Sequence, residues 1–234
     1  MKSPKSKPEL LAPAGNMVSA LTAFDAGADA VYAGLRKFNA RERTENFSSE
    51  EMSKLLTYAR SVGRKVYIAF NTLIKESEIP EAAEMLSEIA SLGPDAVIIQ
   101  DPGILHMIRE YFPSLTIHAS TQMGIHNSEG AKTAASLGIK RVILERQVTV
   151  GEIGKIVAAS PIETEVFIHG AICCSLSGKC LFSSWQGGWS GNRGKCKQPC
   201  RYNYFQGGDE AYCFSTRDLC SLELIPELKE LGVS

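Results

Sequence analysis

Four junctions of one form constrain this chain most strongly: Gly27-Ala28-Asp29-Ala30-Val31, Gly63-Arg64-Lys65-Val66, Gly93-Pro94-Asp95-Ala96-Val97 and Gly138-Ile139-Lys140-Arg141-Val142. Each places a glycine where a helix ends in the left-handed conformation, just ahead of a short apolar run. Amphipathic stretches lie between them, such as Glu50–Val62, which Ser48 or Ser49 would cap, and Pro80–Leu92, with proline in its first turn. The alternation predicts strands at Glu9–Ala12, Ala30–Ala33, Lys65–Phe70, Ala96–Gln100, Thr116–Ala119, Arg141–Leu144 and Glu165–His169. Runs this short and apolar on both faces suit parallel strands covered by helices.

A barrel is expected rather than an open sheet: an α/β, (β/α) barrel-like domain with seven strands visible. Leu222–Leu231 reads as one more helix, and Gly232-Val233-Ser234 repeats the junction. An eighth strand is therefore expected to begin where the sequence stops, as in a piece of a longer protein. The organisation read from sequence is a barrel-like domain over 8–170, a Cys- and Gly-rich metal-binding segment over 171–208, and a return to the barrel over 209–234.

With 234 residues, 44% of them hydrophobic, the chain can bury a core of its own. Its formal net charge of -1 points to no nucleic acid or membrane partner globally. No apolar run reaches the roughly 20 residues of a membrane helix. The basic start, Met1-Lys2-Ser3-Pro4-Lys5-Ser6-Lys7, has no apolar segment after it and is not a secretory signal. A cytoplasmic location with reduced thiols is expected, so cysteines point to metal or redox chemistry before disulfides.

In a parallel barrel the chemistry gathers at the carboxyl ends of the strands. Asn71, Gln100, Asp101, His118, Ser120, Thr121, Gln122, Glu145, Arg146 and His169 fall there. Some of these would merely cap helices or satisfy loop backbone.

All seven cysteines lie between positions 173 and 220. The run Cys173-x6-Cys180-x15-Cys196-x3-Cys200 follows the last predicted strand directly and is rich in glycine. Four thiolates here could hold an iron–sulfur cluster, whose negative charge backbone N–H groups would offset. They could hold zinc, although only Cys196-x3-Cys200 has the tight spacing of a zinc knuckle. They could also be inert buried thiols, a poor reading for so dense a group. Cys174, Cys213 and Cys220 are left over, and Cys213 or Cys220 could replace Cys200 as a ligand.

From Val166 to Gln206 there is no acidic residue, while Lys179, Arg193, Lys195, Lys197 and Arg201 supply five positive charges. Trp185, Trp189, Tyr202, Tyr204 and Phe205 are interleaved with them. The mixture suits phosphate contact with base stacking on looped or single-stranded RNA. Equally, the charges could balance a cluster and the aromatics pack the loop.

These residues carry a specific resemblance. Glu165-Val166-Phe167-Ile168-His169-Gly170-Ala171-Ile172-Cys173, Ser177-Gly178-Lys179-Cys180 and Ser183 resemble the signature block of the collagenase-like peptidase family U32. Phe182 departs from it, standing where an aliphatic residue is usual. Gly191-Asn192-Arg193-Gly194-Lys195-Cys196-Lys197-Gln198-Pro199-Cys200-Arg201, Pro8-Glu9-Leu10-Leu11-Ala12-Pro13-Ala14-Gly15 and His118-Ala119-Ser120-Thr121-Gln122 are similar as well. The likeness runs from about Pro8 to the end.

The resemblance implies oxygen-independent hydroxylation more than proteolysis. Some members modify a ribosomal RNA cytidine or tRNA wobble uridines, with prephenate as the implicated hydroxyl donor, and others act on ubiquinone precursors. It implies a [4Fe-4S] cluster on Cys173, Cys180, Cys196 and Cys200, with Cys200 the position that varies between relatives. Residues 193–201 look closest to the RNA-directed members. On this reading His118, Gln122, Arg146 and His169 would orient substrate, and the Arg146 fork would suit a small carboxylate co-substrate. His169 could instead orient a ligand of the cluster. The electron donor lies outside what the sequence specifies. Two alternatives stand beside this one: a peptidase, with Cys173 as nucleophile and His169 as base, and a non-catalytic RNA-binding module with structural zinc.

Overall fold

The computed structural model describes residues 7–42 and 44–234; the basic leader at 1–6 lies outside them. Seven parallel strands form one curled sheet in chain order: β1 (Leu11–Pro13), β2 (Ala30–Gly34), β3 (Lys65–Phe70), β4 (Ala96–Ile99), β5 (Ile117–Ala119), β6 (Arg141–Ile143) and β7 (Glu163–Glu165). Helices α1 (Met17–Asp25), α2 (Ser49–Ser61), α3 (Ile79–Leu92), α4 (Pro102–Tyr111), α5 (Ser128–Ser136) and α6 (Val150–Ala159) fill the crossovers. The fold is a half-barrel of the α/β, TIM-barrel-like kind.

Local chemistry sets these boundaries. Ser48 caps α2 by accepting the Glu51 amide while the Glu51 carboxylate reaches back to the Ser48 amide, so two otherwise unpaired donors are satisfied. Asp101 caps α4 by accepting from the Gly103 and Ile104 amides, and its other oxygen accepts from Ile74.

Strand alternation splits the core in two. Val31, Val66, Ile68, Phe70, Val97, Ile99 and Val142 face outward onto the helices. Each large aliphatic side chain buried there contributes on the order of 1.5–3 kcal/mol. The inner face is smaller, with Ala30, Tyr67, Ala96, Ile98 and Ile143 packed with Tyr32 and Phe167. That inner volume is where polar side chains collect.

The seventh strand corrects the sequence reading. It spans Glu163–Glu165 and pairs with β6 in the register Arg141↔Glu163, Ile143↔Glu165. The apolar run Val166-Phe167-Ile168 lies beyond the ladder: Val166 and Ile168 pack on the outer core and Phe167 on the inner one. A strand of charged residues escapes a hydrophobicity search, yet here both glutamates flank Arg141. His169–Gly170 forms β8 instead, antiparallel to β11 (Leu219–Cys220).

The segment after β8 carries a short helix, α7 (Phe182–Trp185), and the hairpin β9 (Tyr204–Gln206) with β10 (Asp209–Ala211). Helix α8 (Ile225–Leu231) then returns to pack on α6 through Leu231 beside Gly154. Past Gly232, Ser234 donates its amide to the Thr164 carbonyl at 3.0 Å, so the expected strand start lies alongside β7. Among the described residues no helix is long and apolar enough to cross a membrane.

Candidate active site

A cavity of about 320 Å³ opens at the carboxyl ends of the strands. Tyr32, Asn71, Gln122, Glu165, Phe167 and Cys173 line it, so the strand ends and the cysteine segment share one space. A wider groove of about 760 Å³ lies at the opposite end of the sheet, around Lys65, His118, Arg141 and Glu163. It is the larger depression, but it is open and remote from the cysteines.

Two glycines explain how the cysteine segment can sit on the strand ends. A Cβ on Gly194 would stand 2.2 Å from the Asn39 carbonyl oxygen, and its φ of +73° lies in the left-handed region that favours glycine. A Cβ on Gly178 would stand 2.9 Å from Gln122 Oε1. Polar contacts complete the docking. Arg193 donates to the Leu73 carbonyl at 2.7 Å and to Glu78 at 2.9 Å. The Ser177 amide donates to the buried Glu145 carboxylate at 3.1 Å.

Arg146 sits in the cavity wall with its guanidinium 3.7 Å from the Phe167 ring centroid and one N–H on Ser177 Oγ at 3.2 Å. Burial is the main influence on it and weakens its hold on the proton; the neighbouring Arg41 charge acts in the same direction. Neither Arg41 nor Arg146 has a carboxylate ion-pair partner among the described residues. Gln122 is 8% exposed, and its buried Oε1 has no hydrogen-bond partner. Asn71 is held by the Ala40 amide on Oδ1 and by Ser120 Oγ on Nδ2.

Beneath the cavity runs a buried charge layer that the sequence reading missed. Arg141 donates to Glu9 at 2.7 Å and to Glu163 at 2.7 Å, and lies 3.4 Å from Glu165. Burial acts against the charge on Glu9, but hydrogen bonds from Lys65, Tyr67 and Arg141 prevail and hold its pKa at about 2. For Glu165 burial wins over Arg141, and its pKa rises to about 7. Tyr67 is pushed up by burial and by its bond to Glu9. The missed signal was the Glu-x-Glu of β7 beside the lone arginine of β6.

His118 belongs to this layer and not to the cavity. It is 4% exposed, meets the Tyr67 ring edge-on at 4.8 Å, and is driven by burial, then by the Arg141 charge, to a pKa of about 3. The expectation of a rim histidine fails because the β5 side chain at 118 points to the inner face, toward the amino ends of the neighbouring strands. His169 is exposed on β8 opposite Cys220 and does not line the cavity either. Of the four residues expected to orient substrate, Gln122 and Arg146 are brought together there.

The cysteines gather beside the cavity. Burial raises the Cys173 thiol, and Cys180, Cys200 and Cys196 bear on it in turn. The Ser175 amide reaches Cys173, the Phe182 amide donates to Cys180 Sγ at 3.4 Å, and the Gln198 amide donates to Cys196 Sγ at 3.3 Å. Amide donors aimed at sulfurs fit a bound anionic cluster. Among the described residues, no three His, Cys, Asp or Glu side chains are grouped to hold a single metal ion. Cys174 is a free thiol in hydrogen-bond contact with the thiol of Cys200, and Cys174, Cys213 and Cys220 are exposed.

The expected RNA-binding cations divide. Arg193 is spent on Glu78, Arg201 on Asp218, Ser215 and the Ile172 carbonyl, and Lys195 lies 3.7 Å from Glu42. Lys179 and Lys197 are exposed, and Lys197 lies 3.8 Å over the Trp189 ring. Trp185 is 89% exposed and Phe205 75%.

A half-barrel whose strand ends are covered by a segment with five cysteines defines a class, and comparison with known proteins gives its name. The sequence profile of Peptidase family U32 matches residues 15–234, and the chain belongs to that family. It is 38% identical over 95% of its length to the uncharacterized protease MJ0090 of Methanocaldococcus jannaschii, covering 58% of that protein. It is 37% identical over 85% of its length to tRNA hydroxylation protein P of Escherichia coli, covering 44% of it. It is 37% identical over 96% of its length to the 23S rRNA 5-hydroxycytidine C2501 synthase of Escherichia coli, covering 34% of it. The chain thus spans about half the length, or less, of these curated relatives. The solved U32 peptidase Mk0906 shares the fold with a TM-score of 0.61, at 15% identity, over 74% of this chain and 72% of that one.

Proposed function

We propose that this chain is the cluster-bearing part of an enzyme that hydroxylates a nucleotide in tRNA or ribosomal RNA without using dioxygen. One observation carries the reading: Cys173 opens into the same cavity as Gln122, Arg146 and Glu165. The names of two relatives, a tRNA hydroxylation protein and an rRNA hydroxycytidine synthase, support it.

Cys173, Cys180, Cys196 and Cys200 would hold a [4Fe-4S] cluster, which supplies electron transfer or an open iron when bound. Hydroxylating a base removes two electrons from it, so a co-substrate must deliver the hydroxyl and accept those electrons. Prephenate is the candidate that the family resemblance supplies. Arg146, with Arg41 near it and no carboxylate partner on either, would hold such a carboxylate. Glu165, with its pKa near neutrality, could give or take a proton at the cavity floor. His118 and His169 have no part in this assignment.

The peptidase reading needs a base beside the Cys173 thiol. Among the described residues His169 faces solvent and His118 lies at the far end of the sheet. The test is to express the chain, alone and within its full-length protein, in a host lacking its own RNA hydroxylases. Digested tRNA and rRNA are then examined for nucleosides heavier by one oxygen. Their appearance, and loss with Cys173→Ser, is expected. Peptide hydrolysis without modified nucleosides would contradict the proposal.

A further inference from the structure

Cys174 has no place in the cluster assignment and does not line the cavity, yet its thiol meets that of Cys200. We propose that these two cysteines form a reversible disulfide once an oxidant has stripped the metal, which keeps Cys200 recoverable as a ligand. The inference rests on the assignment of Cys200 to the cluster and concerns the regulation of that site.

The backbone brings the pair together without help from a metal. Arg201, next to Cys200, donates to the Ile172 carbonyl at 3.2 Å, and Thr216 Oγ1 donates to the same oxygen at 2.6 Å. Residues 171–174 lie in neither helix nor strand, and Cys200 lies in a single short turn at Pro199–Arg201. Closing two touching thiols to the roughly 2 Å of a disulfide therefore asks only for a local adjustment. Cys173, one residue earlier, faces the cavity. Cys174 is exposed and Cys200 half-buried, so small oxidants and thiols in solution reach the pair. Cys180 and Cys196 are placed differently, each accepting a backbone amide, from Phe182 and Gln198.

The chemistry balances with a peroxide as the oxidant. One sulfur takes an oxygen as its S–H bond and the O–O bond break, giving a sulfenic acid and one water. The second thiol displaces that hydroxyl, which leaves with the remaining proton as another water, and the S–S bond forms. Two electrons pass from the two sulfurs to the peroxide. Without a partner thiol, the sulfenic acid goes on to a sulfinic acid, which a thiol does not reverse. Cys174 thus stands where it stops the oxidation of Cys200 at a step that thiols undo. Cys200 bound to the cluster cannot also be bridged, so the two states exclude each other.

The protein, purified under anoxia, is treated with a small excess of hydrogen peroxide, alkylated, and digested with trypsin without reduction. Trypsin places Cys200 in residues 198–201 and Cys174, with Cys173, in residues 156–179. Mass spectrometry should find the two peptides joined, with fragmentation placing the bridge on Cys174. Dithiothreitol should split them and let iron and sulfide restore the visible absorption. Cys174→Ser, its folding checked by melting curves, should instead carry two added oxygens on Cys200 and stay colourless after peroxide, while loading normally without it. A free, alkylated Cys174 beside an oxidised Cys200, or a bridge on Cys173, would overturn the proposal. A Cys174 bridge in protein that never takes up iron and sulfide would leave the disulfide standing and overturn the cluster reading.

Discussion

Arg141 Nη1 donates to Glu9 Oε1 at 2.7 Å, joining the sixth strand to the residue pair just ahead of the first, 132 positions away in the chain. The Arg141 side chain is 5% exposed and that of Glu9 13%. The same carboxylate also accepts from Tyr67 at 2.6 Å and Lys65 at 2.7 Å. A sheet whose first and last strands are not hydrogen-bonded to each other is here fastened through its interior. Breaking a buried pair by removing one partner leaves a stranded charge. Arg141→Met should therefore cost about 3–5 kcal/mol in guanidinium unfolding. With Glu9→Gln added, the loss should be clearly smaller than the sum of the two single losses. Simple additivity would mean that the pair is not coupled.

The two titratable groups flanking Arg141 should give opposite pH dependences. His118 has its folded pKa lowered to about 3, by burial and then by Arg141. The neutral form is favoured on folding, so its contribution is complete above about pH 6.5 and is lost as pH falls toward 3. Glu165 has its folded pKa raised to about 7 by burial. Its contribution is complete below about pH 4.5 and is lost as pH rises through 7. Glu165→Gln should thus stabilise the protein at pH 8 by on the order of 2–3 kcal/mol and change little at pH 4. His118→Gln should flatten the stability curve between pH 4 and 6. Parallel curves for wild type and variants would refute both assignments.

Docking of the cysteine segment depends on Gly194. An alanine there brings Cβ into the Asn39 carbonyl and forces a side chain into positive φ. Gly194→Ala should cost about 2 kcal/mol or more and expose residues 171–208 to limited proteolysis, with faster loss of bound metal. Gly151→Ala, where a Cβ meets nothing within 4 Å, is the control and should leave both measurements unchanged.

The division among the cations is testable through salt dependence. Lys179→Ala and Lys197→Ala should each weaken single-stranded RNA binding and reduce the logarithmic salt slope by about 0.7. Arg201→Ala should leave that slope unchanged and lower stability, because its guanidinium holds Ser215, Ile172 and Asp218. A slope change of the same size for Arg201 would place it on the RNA surface.

Much of this architecture was legible in the sequence because it rests on local signals. The left-handed glycines at Gly93 and Gly232, the Ser48 cap and the proline start of α3 can each be read within a turn of chain. The run from Cys173 to Cys200 was legible for the same reason. What was not legible depends on which way an inner-face side chain looks. His118 lies within β5, and its environment is set by Tyr67 and Arg141 from other strands. Charged β7 was hidden because its partner, Arg141, lies 22 residues from Glu163 in the chain. Likewise, the Arg193–Glu78 pair spans 115 residues, so a cation that looked free for RNA was already engaged.

The most direct test of the account is to count metal and sulfide together. Purified under strict anoxia, the chain should hold about four iron and four acid-labile sulfide, with broad visible absorption that Cys173→Ser abolishes. Stoichiometric zinc without sulfide would contradict the cluster and the redox chemistry that depends on it.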